Sequence, residues 1–321
     1  MIDVHAHTVL PGVMGCAGEY GPELGIGPEG RPRFRVGSYV LDGVDYRGTP
    51  FMDPDVRLRL NDHLGIDVQM LSPNPITYFH HVEPEVAAEF CRWHNDELAA
   101  LVAGHPDRFL GAAQLPMQDV DAAVVEFRRA VGDLGLVSAY IGTDFGTDFD
   151  DERLDPFWAA AVELDVPVFI HPAPSGIDGP LRDERIRKYD LDLSVGFMFE
   201  ETLAMAHLIY GGVLDRHSGL DICMSHGGGA CAYMLGRLEH QGRTRPWAIA
   251  NPTDFQGAMQ RMWFDNHVHD DDSLVLLERK VGRDRLVVGT NLAGWDSPKE
   301  PAEIPFVDAY DDNARRLLRL S

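Results

Sequence analysis

Two histidines separated by one alanine, His5-Ala6-His7, stand near the start of the 321-residue chain. Residues two apart in an extended strand project to the same side, so both imidazoles can converge on one cation. A His-x-His pair also arises by chance, so other histidines must decide the matter. His171 closes the apolar run Val-Phe-Ile-His-Pro, and His226 closes Cys-Met-Ser-His, followed by Gly227-Gly228-Gly229. Imidazole suits zinc, and three protein ligands plus water make a reactive open site. Such a cation lowers the pKa of bound water to about 7 or polarises a substrate oxygen directly. The glycines after His226 allow backbone or substrate to approach closely, which suits an acid/base imidazole facing the substrate. A glycine-rich turn opening a helix is compatible with the same role.

The elements that must carry these histidines can be read from the same chain. Short apolar runs rich in Val, Ile and Leu alternate with stretches of helical periodicity, the rhythm of β-then-α units around a parallel sheet. Strands are predicted at 2–7, 67–71, 109–115 and 137–141, then at 166–171, 221–225, 262–265 and 286–290. Helices are predicted over 53–63, 85–104, 119–134, 154–164, 197–210, 230–240, 272–281 and 307–318. Eight alternating pairs predict one closed (β/α)8 TIM barrel over residues 1–321, with a doubly wound open sheet as the runner-up. Catalytic groups of a barrel sit at the C-terminal ends of its strands, where His5, His7, His171 and His226 all fall. Two segments exceed the minimal unit, 10–51 after the first strand and 173–194 after the fifth. Both would be insertions over the C-terminal face, read as lids or subunit contacts within a single domain.

Composition narrows the partners. The formal net charge is −23 with no long Lys/Arg run, which argues against nucleic acid and anionic membranes. An anionic substrate stays open, because a few local arginines can reverse the field inside one pocket. Apolar runs such as 166–170 are far too short to cross a bilayer, and the first residues show no secretory signal. Four cysteines without a Cys-x-x-Cys pair fit a reduced, cytoplasmic setting better than a disulfide framework.

Taken with further blocks, these residues resemble the amidohydrolase superfamily, in its amidohydrolase-related branch of nonoxidative decarboxylases. The resemblance is closest to the α-amino-β-carboxymuconate-ε-semialdehyde decarboxylases, with γ-resorcylate and 5-carboxyvanillate decarboxylases as cousins. The blocks are Asp53-Pro54-Asp55-Val56-Arg57, Gly65-Ile66-Asp67-Val68-Gln69, Leu115-Pro116-Met117-Gln118, Gly211-Gly212-Val213, Ser225 to Ala230 and Val268-His269-Asp270. The resemblance implies that His5, His7 and His171 bind the metal, Zn2+ with Mn2+ as the alternative, and that His226 is the acid/base. It implies that Arg245, followed by Pro246, reaches a substrate carboxylate in a neighbouring subunit, hence a homodimer. Arg47 is similar to the arginine that grips the substrate from within its own chain; a surface salt bridge is the alternative for either arginine.

One block departs from the pattern. Relatives end the eighth strand with a metal-ligand aspartate in Gly-Thr/Ser-Asp-Tyr-Pro, whereas this chain reads Gly289-Thr290-Asn291-Leu292-Ala293. Either Asn291 ligates through its neutral amide, or Asp296 replaces it, or the metal manages without both. The expected activity is nonoxidative decarboxylation of an unsaturated or aromatic carboxylate. The alternatives are hydrolysis or hydration of a related carboxylate by the same barrel, and a non-catalytic homologue. Trp295 is a candidate aromatic wall of the substrate pocket. His80 and His81 are weaker candidates for the pocket lining, and His267 and His269 around Asp265 for substrate contact or for backing the ligands.

Overall fold

The computed structural model describes residues 1–179, 181, 183–250 and 252–320. The strands are β1 (Ile2–Thr8), β2 (Glu23–Ile26), β3 (Pro32–Val36), β4 (Tyr39–Asp42), β5 (Val68–Pro73), β6 (Phe109–Ala113), β7 (Ser138–Ile141), β8 (Val168–Ile170), β9 (Ile222–Met224), β10 (Trp263–Asp265) and β11 (Leu286–Val287). The helices are α1 (Pro54–Leu64), α2 (Pro84–Gly104), α3 (Val120–Gly132), α4 (Asp155–Leu164), α5 (Phe197–Tyr210), α6 (Val213–Arg216), α7 (Cys231–Thr244), α8 (Phe255–Met259), α9 (Asp271–Val281) and α10 (Asp308–Leu317).

An eight-stranded parallel sheet runs β1-β5-β6-β7-β8-β9-β10-β11. Parallel bridges from Asp3 to Val288 and from Ala6 to Leu292 join its two ends, so the sheet closes into the expected (β/α)8 barrel. Every residue of β1 and β7 to β11 is buried, which is why β8, β9 and β11 read as apolar runs, whereas β1 alternates apolar residues with the buried polar side chains of Asp3, His5 and His7. Helix starts follow local chemistry. Asp53 caps α1 by accepting from the Asp55 and Val56 amides ahead of Pro54, and Gly65 ends the helix in a left-handed conformation. Asp119 and Asp270 cap α3 and α9 in the same way. Each of the eight expected strands and helices is present. The short helices α6 and α8 were not anticipated.

The 10–51 insertion is not a bare loop. It folds into a three-stranded antiparallel sheet, β2-β3-β4, and meets the second long segment where the Ser38 amide donates to Ile177 O at 3.2 Å. Gly37 must be glycine there: its φ is +54°, and a Cβ would lie 2.5 Å from Ile177 O. Among the described residues no helix is long and apolar enough to cross a membrane.

A buried polar chain ties the barrel seam to the metal-ligand strand. Asp3 accepts from Thr290 Oγ1 at 2.6 Å, from the Thr290 and His5 amides at 3.1 Å, and from Gln69 Nε2 at 2.8 Å. Gln69 Oε1 in turn accepts from Arg57 Nη1 at 2.9 Å, while Arg57 also donates to the carbonyls of Pro50 and His7. Burial pushes the Asp3 carboxyl up and lowers Arg57 to about 9, still protonated at neutral pH. Removing the guanidinium leaves buried acceptors bare and the Asp3 charge less compensated. Arg57→Ala is therefore expected to cost about 3–5 kcal/mol. The readout is the urea midpoint; a midpoint equal to that of the unaltered protein would show that this chain carries no stability.

Candidate metal centre and acid–base site

β1 ends in His5-Ala6-His7, and its alternation sends both imidazoles into the barrel mouth. β8 delivers His171 one residue past its end, and β9 delivers His226 two residues past its own. The ring centroids of His5, His7 and His171 lie 4.7–5.1 Å apart, and one ligand atom from each falls within 4.8 Å of the others. The His226 ring lies 4.8 Å from that of His171 and 5.2 Å from that of His5. All four are buried. The four histidines named from sequence thus meet at one end of the barrel.

The hydrogen bonds behind the rings decide where the protons are. His171 Nδ1 lies 2.6 Å from Pro172 O, and His7 Nδ1 lies 3.1 Å from Pro73 O and 3.0 Å from Ser72 Oγ. A carbonyl oxygen can only accept, so each Nδ1 carries hydrogen. Ser72 fits this, since its own hydroxyl donates to Ala6 O at 3.0 Å. His5 Nδ1 donates to the Asp265 carboxylate at 2.7 Å. A neutral imidazole has one N–H, so all three Nε2 atoms are bare lone pairs. Yet His5 Nε2 and His7 Nε2 stand 3.3 Å apart, and His171 Nε2 is buried with no partner. Protonation offers no relief. Burial first, then neighbouring imidazoles, hold His5 and His171 well below the usual histidine range, and burial takes His7 to about 3. Three inward lone pairs, each braced from behind, are the donor set of a divalent cation.

A second group, His267, His269 and Asp296, also brings three ligand atoms within 4.8 Å. It answers the same test differently. Both Nε2 atoms face the Asp296 carboxylate, at 3.0 Å for His267 and 2.7 Å for His269, where each can donate its own proton. That group is satisfied without metal.

His226 stands apart from the ligand trio in its support. Its Nδ1 donates to Glu201 Oε1 at 2.8 Å, leaving Nε2 for proton transfer. Glu201, on α5, is fully buried; burial raises its carboxyl and lowers the proton affinity of His226. Gly227, Gly228 and Gly229 all have positive φ, and a Cβ on Gly228 would strike Met205 and Phe264 at 2.6–2.7 Å. The turn that presents His226 therefore needs glycine on backbone and packing grounds. His226 opens onto a cavity of about 820 Å³ walled mainly by apolar side chains, among them Phe197, Met198, Leu203, Met234 and Leu277. His267, His269 and Trp295 also line it, Trp295 from the rim at 68% exposed.

The remaining candidates fall elsewhere. Arg47 is exposed and engaged by Asp45 at 2.8 and 2.9 Å, so the structure does not bring it to the histidines. Arg245 is exposed at the end of α7 and is not among the residues lining the cavity. Asn291 is buried beside the seam, its Nδ2 donating to Asp296 Oδ1 at 2.6 Å and its Oδ1 without a partner. His80 is packed inside, stacked on Tyr78 and accepting from the Gly142 amide at 3.2 Å; with His81 it lines a separate small cavity. Glu201 and Ser72 were not anticipated. A carboxylate on the otherwise apolar buried face of α5, with Phe197, Ala204, Met205 and Leu208, was the available signal for Glu201.

Comparison with known proteins finds relatives along nearly the whole chain. The sequence model of the Amidohydrolase family matches residues 2–320. A 2-amino-3-carboxymuconate-6-semialdehyde decarboxylase of Dictyostelium discoideum is 34% identical over 257 residues, covering 78% of this chain and 70% of that protein. The crystal structure of 2,6-dihydroxybenzoate decarboxylase from Rhizobium superposes with a TM-score of 0.78 at 26% identity, covering 99% of this chain and 98% of that one. A dihydroxybenzoic acid decarboxylase from Polaromonas, solved with bound manganese and 2-nitroresorcinol, has the same fold, with a TM-score of 0.76, 23% identity and coverage of 99% and 96%.

If the trio holds a cation, its braces should matter as well as its ligands. Chelator-stripped protein is expected to take up one Mn2+ or Zn2+ per chain in isothermal titration calorimetry. Asp265→Asn should weaken that binding about 10–100-fold. Affinity unchanged in both Asp265→Asn and His171→Ala would remove the centre from this position.

Proposed function

The chain belongs to the amidohydrolase family, and from that membership we propose that it is a metal-dependent nonoxidative decarboxylase of an unsaturated or aromatic carboxylic acid. The observation that carries the reading is the side-by-side placement of three proton-free imidazole nitrogens and one imidazole backed by a buried carboxylate. His5, His7 and His171 would hold the cation, with Asn291 Oδ1 available as a fourth donor. Zn2+ suits the imidazole donors, and the manganese bound by the Polaromonas enzyme supports Mn2+ as the alternative. When bound, the cation would supply Lewis-acid polarisation of a substrate oxygen.

His226 carries the proton chemistry. Protonated at Nε2, it delivers that proton to the carbon bearing the carboxylate. The C–C bond to the carboxylate then breaks, its electron pair returns to the substrate and CO2 leaves. Burial lowers the proton affinity of His226, which makes its imidazolium the stronger acid for this step. Glu201 fixes the ring's tautomer and steadies the imidazolium. The apolar cavity wall, with Trp295 at its rim, would hold the body of the substrate and exclude water.

Among the described residues, those that line the cavity include no arginine or lysine, and a cation brought from outside it would serve the substrate carboxylates. Arg245, exposed at the end of α7, would supply it to the site of a second copy, which makes the working unit a homodimer. Arg47 would join only by exchanging Asp45 for the substrate. The four free cysteines suit a cytoplasmic setting.

His226→Ala is expected to lower turnover about 10²–10⁴-fold with cation stoichiometry intact, scored as CO2 release from candidate acids. Ring-opened or hydrated product in place of CO2 would move the assignment to hydrolysis or hydration. Mixed His226→Ala and Arg245→Ala proteins, each inactive, should recover about a quarter of the original activity, because random exchange gives half heterodimers with one intact site each. No recovery after subunit exchange would place Arg245 outside the neighbouring site.

A further inference from the structure

Three neutral imidazoles contribute donors and no charge, so a dication held by them in a buried site lacks a counter-anion among its nearest ligands. Asn291 precedes Leu292, whose carbonyl accepts from the amide of the ligand His7 at 2.9 Å, and its side chain is neutral as well. Its amide is nevertheless not free to turn. Nδ2 donates to Asp296 Oδ1 at 2.6 Å, and a carboxylate can only accept, so the nitrogen must face Asp296. Asn291 Oδ1 is thereby turned elsewhere, buried and without a protein partner.

Asp296 is itself tightly held. Its Oδ2 accepts from His267 at 3.0 Å and from His269 at 2.7 Å, and its side chain is 10% exposed. The chain returns to Asn291 through a closed turn: Gly294 N donates to Asn291 O at 2.6 Å, and Ser297 Oγ to the same oxygen at 2.8 Å. A Cβ on Gly294 would fall 2.5 Å from the Asn291 amide, so only glycine leaves the amide its room. With Asn291, His267 and His269 all bonded to it, Asp296 has little capacity left to ligate a cation directly.

We propose that Asn291 and Asp296 act as a divided carboxylate, in which Asn291 Oδ1 is the donor atom toward the cation while Asp296, one hydrogen bond behind, orients the amide and supplies the negative charge. Asp296 is thus a positioning residue. Burial alone would raise its carboxyl, but the bonds from His267 and His269 outweigh this and hold it well below the usual carboxylate range. Its charge also acts favourably on protonated His226.

The inference rests on the metal centre proposed above, and the test separates the two. Full-length, chelator-stripped proteins are titrated calorimetrically with MnCl2. Asp296→Asn is expected to bind one Mn2+ about 10–100-fold more weakly than the unaltered protein. The exchanged pair, Asn291→Asp/Asp296→Asn, should recover the original affinity or better, since the carboxylate now ligates and an amide stands behind it. Recovery in a protein that still carries the Asp296 change distinguishes orientation and charge from general damage to the loop. Unchanged affinity in Asp296→Asn, or an exchanged pair no tighter than Asp296→Asn alone, would overturn the divided carboxylate and leave the histidine centre standing. Absence of Mn2+ binding by the unaltered protein, or binding indifferent to His171→Ala, would overturn both.

Discussion

Three ring nitrogens that carry no proton are pressed toward one another inside a protein. Lone pairs repel, and none of His5 Nε2, His7 Nε2 and His171 Nε2 has a hydrogen to share. Something must hold the rings in this arrangement before any cation arrives. That work falls to the far side of each ring, where Asp265, the Pro73 carbonyl and the Pro172 carbonyl each take an Nδ1 hydrogen. Pro73 and Asp265 end barrel strands and Pro172 follows the end of β8 by two residues, so the sheet itself positions the braces.

The sheet is in turn closed by polar contacts as well as apolar ones. Asp3 spans the seam to Thr290, and Gln69 and Arg57 extend the connection to the carbonyl of His7. A buried carboxylate and a buried guanidinium are costly to desolvate, and each is offset by several hydrogen bonds. Their position beside the ligand strand links the stability of the fold to the placement of two of its histidines.

The same proton accounting sorts two clusters that look alike by distance. His267, His269 and Asp296 are as close together as the ligand trio, but two N–H donors facing a carboxylate form a hydrogen-bonded group that is complete in itself. Proximity of donor atoms alone does not distinguish a metal centre from such a group. The deciding quantity is whether the inward-facing atoms still possess hydrogens.

Much of this was legible in the linear chain. Parallel barrel strands are buried on both faces, so they stand out as apolar runs, and Asp-Pro with a later glycine marks the bounds of α1. The sheet at 23–42 went unseen because β2 and β4 are half-exposed, with no apolar face long enough to set a pattern. Residue types and strand ends determined the four histidines and the glycines after His226, and the family resemblance marked Asn291 as a neutral residue where relatives have an aspartate. Only the folded chain decided the tautomers, the orientation of the Asn291 amide, the Glu201 support of His226 and the capture of Arg47 by Asp45. The reason is physical: a proton's position is set by the atom it faces, and for His5 that atom lies 260 residues away.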